Sequence, residues 1–169
     1  MEKECRQLYR QAFCDPNNDF ENLLFKHCFK YINTLNTENG IVSMCFLLPC
    51  EILADKKYDG VYLYAAATRI EFRARGYMST LIEKAKAEND IIILRPANSK
   101  LVKYYNKLGF KPIKAVSKDS DKNCIIPKKS FGKLADALSV KATGEEYTLM
   151  YYSKKDIIFE NLNFKYSMN

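Results

Sequence analysis

The sequence predicts an α/β domain built on a mixed sheet that contains a parallel pair of strands. One observation is the apolar run Val61–Thr68, which is typical of a strand buried on both faces. The other is the order of elements from this run onward (strand, helix, strand, helix, strand), which is typical of parallel crossovers. At 169 residues the chain is long enough for one substantial core, so we predict a single domain over 1–169.

The N-terminal part of the chain combines two helical patterns with a hairpin. Apolar side chains recur at helical spacing in two stretches, and Asn39-Gly40 supplies the positive φ angles of a tight turn. The predicted elements are helices at 2–14 and 19–32, strands at 33–37 and Ile41–Leu53, a turn at Asp55–Gly60 and the strand Val61–Thr68.

The rest of the chain alternates helices and strands. Asn98 and Gly109 are residue types preferred at the start and just past the end of a helix. The polar segment Val116–Lys129 predicts a loop that could close over a ligand, with Lys128 or Lys129 near a phosphate. The predicted elements are a helix at Gly76–Asn89, the strand Ile91–Leu94, a helix from Asn98 to Leu108, the strand Phe110–Val116, a helix at Ser130–Val140, the strand Tyr147–Tyr152 and a weak strand pattern within 154–169.

Composition narrows the functional classes. The net charge is +7, and residues 61–169 alone carry 20 basic and 11 acidic side chains; this favours either an anionic partner or ordinary solvated lysines. Six cysteines and a single histidine, His27, show no zinc-ligand spacing. We therefore predict no metal site and reduced, mostly buried thiols. No bilayer-length apolar run or signal-peptide pattern is present, which predicts a cytoplasmic protein without a membrane partner.

A basic turn, Arg73-Ala-Arg-Gly-Tyr-Met-Ser, stands at the predicted start of a helix. Amides of a first helical turn have no intrahelical partner, and the helix dipole adds partial positive charge there. Gly76 lets a ligand approach the backbone without a Cβ in the way, and Arg73 and Arg75 add full charges. The pattern predicts a diphosphate site, with an ordinary surface turn as the alternative.

Two motifs resemble a known family. Phe72-Arg-Ala-Arg-Gly-Tyr-Met resembles the Arg/Gln-x-x-Gly-x-Gly/Ala signature of the GCN5-related N-acetyltransferase (GNAT) superfamily. Asn98–Phe110 is similar to its Asn-x-x-Ala-x-x-x-Tyr-x-x-x-Gly-Phe segment, in matching order and spacing. Met78 and Leu101 stand where the superfamily usually has smaller residues. With Met78 the motif resembles that of one branch of the superfamily, the proteins similar to the mycobacterial enhanced-intracellular-survival protein, which often have a bulky apolar residue at this position.

The resemblance implies a GNAT-like fold, with a mixed, mostly antiparallel sheet, a central parallel strand pair and helices on both faces. It also implies acetyl-CoA (coenzyme A) as cofactor, bound by a core at 61–116 that precedes a C-terminal extension at 117–169. A β-strand amide would polarise the thioester carbonyl. The implied cofactor contacts are Ala66, Ala67 and Thr68 along the acetyl and pantetheine groups, Asn98 beside pantetheine, and Arg73, Ala74, Arg75, Gly76, Tyr77, Met78 and Ser79 around the pyrophosphate.

The tyrosine pair supplies the candidate proton donor. Tyr105 matches the family tyrosine that protonates the departing CoA thiolate, and a phenol with a pKa of about 10 is a competent donor at neutral pH. We predict that Tyr105 donates and that Tyr104 packs. The alternative is that both tyrosines pack the helix against the sheet.

The resemblance, together with the diphosphate site and the tyrosine, implies an acetyl-CoA-dependent N-acetyltransferase that acts on a primary amine of a small molecule or peptide by direct attack in a ternary complex. The general base is unassigned, since the nearby Glu71 is expected to be a surface residue. The alternatives are a CoA-binding or sensor module without turnover and a nucleic-acid binder. We predict no nucleic-acid partner, and the sequence is compatible with a homodimer.

Overall fold

One sheet runs through the described part of the chain, which comprises residues 1–14, 18–138 and 142–164 of the computed structural model. The helices there are α1 (Glu2–Phe13), α2 (Asn18–Cys28), α3 (Tyr77–Glu88), α4 (Ser99–Lys107) and α5 (Lys129–Ala137). The strands there are β1 (Ile32–Thr37), β2 (Gly40–Leu53), β3 (Lys57–Thr68), β4 (Ile91–Leu94), β5 (Lys111–Val116), β6 (Cys124–Pro127), β7 (Glu146–Ser153) and β8 (Asn163–Phe164).

The strands join in the order β5-β7-β4-β3-β2-β6-β8, and β1 also pairs with β2. β2 pairs antiparallel with β1 along its first half and with β6 along its second half. β3 and β4 pair in parallel in the middle of the sheet. This confirms the predicted central parallel pair within a mostly antiparallel sheet. A second parallel pair, β6 with β8, lies at one edge and has no counterpart in the prediction.

Helices cover both faces of the sheet, as predicted. On one face α1, α2 and α5 pack on the sheet through side chains such as Leu8, Phe25 and Phe131. On the other face α3 and α4 pack through side chains such as Leu81 and Tyr105. Each face therefore has its own apolar cluster, and the sheet separates the two.

A buried carboxylate joins the first two helices. Glu21 of α2 is 3% exposed and accepts hydrogen bonds from Arg6 (2.9 Å) and Arg10 (2.7 Å) of α1. Burial by itself would raise the pKa of Glu21, but the hydrogen bonds from the two guanidinium groups outweigh it and hold the pKa below its ordinary value. Because Arg10 lies in the last turn of α1, this clamp anchors the end of the helix that carries Phe13.

The turn predicted at Asp55–Gly60 is wrong at its C-terminal end, because β3 already begins at Lys57. The glycine that suggests a turn has a packing role instead. A Cβ at Gly60 would lie 2.7 Å from Ile52 Cδ1 and 3.2 Å from the Ile91 carbonyl oxygen. Glycine therefore lets the neighbouring strands approach closely.

The loop predicted at Val116–Lys129 contains β6, so its interpretation as a lid is wrong. Lys128 donates to Asp59 Oδ1 at 2.5 Å and contacts Glu51 Oε2 at 3.1 Å. These carboxylates lie near the start of β3, whereas the basic turn follows its end at Thr68. Lys128 and the basic turn are consequently at opposite ends of the strand.

The remaining boundaries shift by a few residues. The helix predicted at 19–32 ends at Cys28 and continues as a 3-10 turn, Phe29–Tyr31. α5 spans Lys129–Ala137 in place of the predicted Ser130–Val140, and residues 139–140 lie outside the described part. In the predicted strand region 154–169, β8 is the strand, and residues 165–169 lie outside the described part.

A β-bulge interrupts the pairing of β2 with β3. The register shifts so that Cys45 of β2 faces two residues of β3, Ala65 and Ala66. Ala65 has left-handed backbone geometry, with φ of 50°. This conformation costs a non-glycine residue about 1–2 kcal/mol. The bulge increases the local twist and redirects the residues that follow.

Substitutions at Ala65 test whether backbone conformation fixes the bulge. We expect the free energy of unfolding of Ala65→Gly to stay within about 1 kcal/mol of the parent value. Glycine relieves the backbone strain but loses more conformational entropy on folding, and these two opposing effects are similar in size. Ala65→Val should lower the free energy of unfolding by about 1–3 kcal/mol relative to the glycine variant, since β-branched residues rarely adopt positive φ. Urea unfolding measures both, and equal stabilities for the two variants would contradict the assignment.

Candidate active site

The parallel strand pair opens into a gap at its C-terminal end. The pairing of β3 with β4 stops at Tyr62 and Ile93, and β4 ends at Leu94. β3 continues to Thr68, and β7 on the other side of β4 also extends past this point. Beyond Leu94, β3 and β7 face each other without a strand between them. The space between them is a cavity of about 670 Å³.

The walls of this cavity come from both faces of the sheet. Tyr62 and Tyr64 belong to the cluster under α1, α2 and α5, whereas Leu63 belongs to the cluster under α3 and α4. All three line the cavity, which therefore crosses the plane of the sheet. The described lining residues are Phe13, Tyr62–Ala66, Leu94–Ser99, Leu101, Val102, Tyr105, Tyr147 and Thr148.

Among the described lining residues, one side chain carries a charge, that of Arg95. Its guanidinium carbon lies 4.4 Å from the centroid of the Tyr147 ring, and Nη2 lies 3.5 Å from Glu145 Oε1. The hydroxyl of Tyr147 is buried and has no hydrogen-bond partner among the described residues. This side of the cavity thus combines aromatic walls with a guanidinium and an unsatisfied hydroxyl.

Burial keeps the phenols of the cavity protonated. Tyr105 is 6% exposed, and burial, followed by the neighbouring Tyr104, raises its pKa. Burial also raises the pKa of Tyr62 and raises the pKa of Tyr147 to about 12, although the charge of Arg95 opposes the latter shift. At neutral pH all three phenols therefore carry a proton that they can donate.

The basic turn leads from β3 into α3, as predicted. Ala74 and Gly76 have positive φ angles of 60° and 81°. Gly76 is the N-cap residue, and no side chain of the described residues caps this end of the helix. A Cβ at Gly76 would have no atom within 4 Å, so open space adjoins the first-turn amides. An exposed helix N-terminus of this kind suits an anion.

Two arginines shape and charge this turn. Arg73 Nε donates to the Thr68 carbonyl oxygen at 3.2 Å, which ties the turn to the end of β3. The guanidinium carbon of Arg75 lies 5.3 Å from the centroid of the Phe72 ring. Both arginine side chains are on the surface and add positive charge beside the helix N-terminus.

A hydrogen bond joins the turn to the wall of the cavity. Ser79 Oγ, in the first turn of α3, lies 3.0 Å from Tyr104 Oη of α4. The ring of Tyr104 contacts that of Tyr105, with centroids 5.2 Å apart, and Tyr105 lines the cavity. The two sequence motifs are therefore adjacent in space.

The predicted site residues fall into three groups. Ala66, Asn98 and Tyr105 line the cavity. Ala67 is buried in the cluster under α1, and Thr68 Oγ1 lies 2.8 Å from Ser43 Oγ, so neither lines the cavity. The residues that form the basic turn and the start of α3 are Arg73, Ala74, Arg75, Gly76, Tyr77, Met78 and Ser79.

The lining residues that sequence reasoning did not place in the site include Ala65, Phe13, Arg95 and Tyr147. The run of alanines that includes Ala65 is a signal, because small side chains permit close approach to a strand. The other three come from separate segments. Arg95 and Tyr147 meet because the sheet order places β7 beside β4, and Phe13 joins them because α1 packs on the same face of the sheet. No local pattern encodes either arrangement.

Other chemically active side chains do not line the cavity. All six cysteines are free and five are buried, and Cys28 Sγ donates to the Ser130 carbonyl oxygen rather than pairing with His27. Glu71 is exposed, as expected. Across the described ranges, no group of three or more His, Cys, Asp or Glu is placed to hold a metal ion. The helices in those ranges are too short or too polar to cross a membrane.

Comparison with solved structures identifies the fold. A Bacillus subtilis acetyltransferase solved in complex with CoA has a TM-score of 0.57 at 16% identity, covering 92% of this chain and 94% of that chain. A Corynebacterium glutamicum protein, histone acetyltransferase HPA2 and related acetyltransferase, has a TM-score of 0.56 at 19% identity, covering 90% of this chain and 91% of that chain. No protein-family model and no curated protein sequence matches the chain.

Several larger proteins share the same core. A GCN5-related N-acetyltransferase from Anabaena variabilis has a TM-score of 0.55 at 18% identity, covering 72% of this chain and 34% of that chain. This chain spans about a third of that protein and of two further matches, at 34%, 30% and 33% of their lengths. The chain thus has the fold of the GCN5-related N-acetyltransferases.

Asn98 has a structural role that can be measured separately. Its Oδ1 accepts the Leu101 N–H at 3.0 Å and so caps α4, as predicted. Asn98→Ala should lower the free energy of unfolding by about 1 kcal/mol, whereas Asn98→Asp should keep the cap. Urea unfolding of the parent and both variants makes the comparison. A similar loss in both variants would argue against the cap.

Proposed function

We propose that this protein is an acetyl-CoA-dependent N-acetyltransferase that acetylates a primary amine of a small molecule or peptide. The observation that carries the proposal is the cavity through the sheet, with a buried tyrosine on its wall and the exposed N-terminus of α3 beside it. The shared fold, including that of a relative solved with CoA, supports this choice of cofactor. The proposal includes no nucleic-acid or membrane partner.

The basic turn fits the phosphates of acetyl-CoA. Gly76 leaves open space beside the first-turn amides of α3, where the helix dipole favours negative charge. Arg73 and Arg75 add two positive charges at the surface. The hydrogen bond between Ser79 and Tyr104 holds this phosphate site in register with the cavity, where the acetyl end would lie.

In the proposed reaction the residues of the cavity stabilise the charge that develops on the carbonyl oxygen and supply a proton to the leaving sulfur. Acetyl-CoA supplies an activated acyl group, whose carbonyl carbon the amine attacks as the carbon–sulfur bond breaks. The amide of Ala66 is the proposed donor to the carbonyl oxygen, because β3 has no partner strand on the cavity side there. Tyr105 gives the proton at Oη to the leaving sulfur.

The proposal requires the acceptor to react as a neutral amine. None of the described lining residues is His, Asp or Glu, so none of them is an ordinary base. The nitrogen attacks in a ternary complex and releases its surplus proton to solvent. A CoA-binding module without turnover is the second candidate, favoured by this same lack of a base. Acetyl-CoA binding without product from a broad amine panel would support it.

Two finer assignments remain predictions. The bulky Met78 favours the branch that resembles the enhanced-intracellular-survival protein. The free thiols, five of them buried, fit a reducing compartment, and we propose the cytoplasm on that ground.

Tyr105→Phe tests the proton donor. The variant keeps the buried ring but loses the hydroxyl, so kcat should fall about a hundredfold or more while acetyl-CoA affinity stays nearly unchanged. Tyr104→Phe is the matched control, because it loses the bond to Ser79, which lies outside the cavity lining. Any effect of this loss falls on acetyl-CoA affinity, and kcat at saturating acetyl-CoA should stay close to the parent value. Steady-state kinetics with a common amine compares the three proteins.

The pH profile adds a second readout for Tyr105. Because burial raises the pKa of this phenol, the parent should show no loss of kcat between neutral pH and pH of about 10, where an ordinary tyrosine ionises. The rate should instead rise with pH as the acceptor amine loses its proton. Equal turnover by Tyr105→Phe, or a descending limb below the ordinary tyrosine pKa in the parent, would remove Tyr105 from the role.

Gly76 tests the phosphate site. Asp and Asn have the same shape and both tolerate positive φ, so Gly76→Asp and Gly76→Asn differ in charge alone. Acetyl-CoA at about a hundred times its Kd should stabilise the parent by about 2.7 kcal/mol. We expect Gly76→Asn to retain most of this thermal stabilisation and Gly76→Asp to lose it. A full shift in the aspartate variant would exclude this turn from the phosphate site.

A further inference from the structure

The two sides of the cavity differ in chemistry. On the side covered by α1, α2 and α5 the walls include the rings of Tyr62, Tyr64 and Tyr147, with Phe13 at the rim. Phe13 is 42% exposed, and Tyr62 and Tyr64 stack with centroids 6.4 Å apart. The basic turn lies beside α3, on the opposite face. The aromatic side is therefore the one left for the acceptor.

Charge on the aromatic side disfavours a polycation. Arg95 lies on this wall against the ring of Tyr147, and none of the described lining residues is acidic. A polyamine would lose hydration there without gaining a carboxylate partner, and it would meet a positive charge. A carboxylate, in contrast, matches the planar fork of an arginine.

The hydroxyl of Tyr147 strengthens this case. It is buried, has no hydrogen-bond partner among the described residues and remains protonated at neutral pH. An unsatisfied buried donor is unfavourable unless a ligand accepts its hydrogen bond. A carboxylate oxygen beside Arg95 would be such an acceptor, since the guanidinium carbon lies 4.4 Å from the centroid of the same tyrosine ring.

We propose that the acceptor amine also carries a carboxylate, on an aromatic or large apolar body, as in an α-amino acid such as phenylalanine. Arg95 and Tyr147 bind the carboxylate, while Tyr62, Tyr64 and Phe13 pack against the apolar body. The amine then faces the acetyl end of the cofactor. This inference rests on the acetyltransferase activity proposed above.

The same wall favours the reactive form of the amine. Apolar surroundings disfavour the charged form of an amine, so they lower the pKa of the bound ammonium group. The acceptor consequently loses its proton more easily inside the cavity than in water. This compensates in part for the lack of a base among the described lining residues.

The test compares three amines with the full chain: L-phenylalanine, phenethylamine, which lacks only the carboxylate, and spermidine. Release of CoA gives kcat/KM for each, and we expect L-phenylalanine to be the best acceptor. Arg95→Gln should lower kcat/KM for L-phenylalanine about tenfold to a hundredfold, because charge-assisted hydrogen bonds are lost, and should leave phenethylamine unchanged. Arg95→Lys, which keeps the charge without the fork, should lie between the parent and the glutamine variant.

Glu145→Gln is the matched control. It removes the carboxylate 3.5 Å from Arg95 without changing a residue of the cavity wall, so use of L-phenylalanine should be retained or increased. Equal or better use of phenethylamine or spermidine by the parent would overturn the proposal. So would an equal loss of both aromatic amines in the Arg95 variants, which would indicate a merely structural arginine.

Thermal unfolding of the same samples with acetyl-CoA distinguishes a wrong acceptor from a wrong proposed activity. A protein that acetyl-CoA stabilises but that does not acetylate L-phenylalanine overturns the acceptor assignment alone. A protein that acetyl-CoA does not stabilise and that acetylates none of the three amines overturns the proposed acetyltransferase activity as well.

Discussion

The arrangement of the site depends on the early end of one strand. β4 stops at Leu94, and Pro96 follows two residues later. Proline has no N–H to donate to a neighbouring strand and restricts the residue before it, so the ladder cannot continue there. The strands on either side extend further, which leaves a hole in the sheet. Asn98 then starts α4, and that helix brings Tyr105 to the wall of the hole.

A hole in a sheet has an energetic cost that a ligand can offset. Backbone N–H and C=O groups along β3 and β7 face the hole instead of another strand, and such groups need hydrogen-bond partners. The bulge at Ala65 adds local strain at the same place. Strain and unpaired edges beside a buried phenol are typical of a site that binds and reacts rather than one that only packs. The apolar clusters on the two faces supply the stability that this region lacks.

The sequence predicts the parts of the fold that are encoded locally. The central parallel pair, α3 and α4 follow from an apolar run, helical spacing and capping residues, and all of them are present. Predictions failed where one residue type serves two purposes. Gly60 is typical of a turn, but in this fold it permits close strand packing. The sequence predicts a loop in place of the short strand β6, because that strand lies in a polar segment that contains proline. The wall formed by Phe13, Arg95 and Tyr147 could not be predicted, because it depends on which strands become neighbours.

The double-sided cavity bears on the order of events in the proposed acetyl transfer. Its rim includes the exposed Phe13 on one face and the exposed Asn98 near the N-terminus of α4 on the other. Two ligands that enter from opposite faces of the sheet do not block each other, so neither has to leave before the other binds. In the proposed reaction the acyl group would pass between them directly, and no side chain of the protein would have to store it. That proposed reaction needs no acylated protein intermediate from the thiols of the core, which burial keeps protonated.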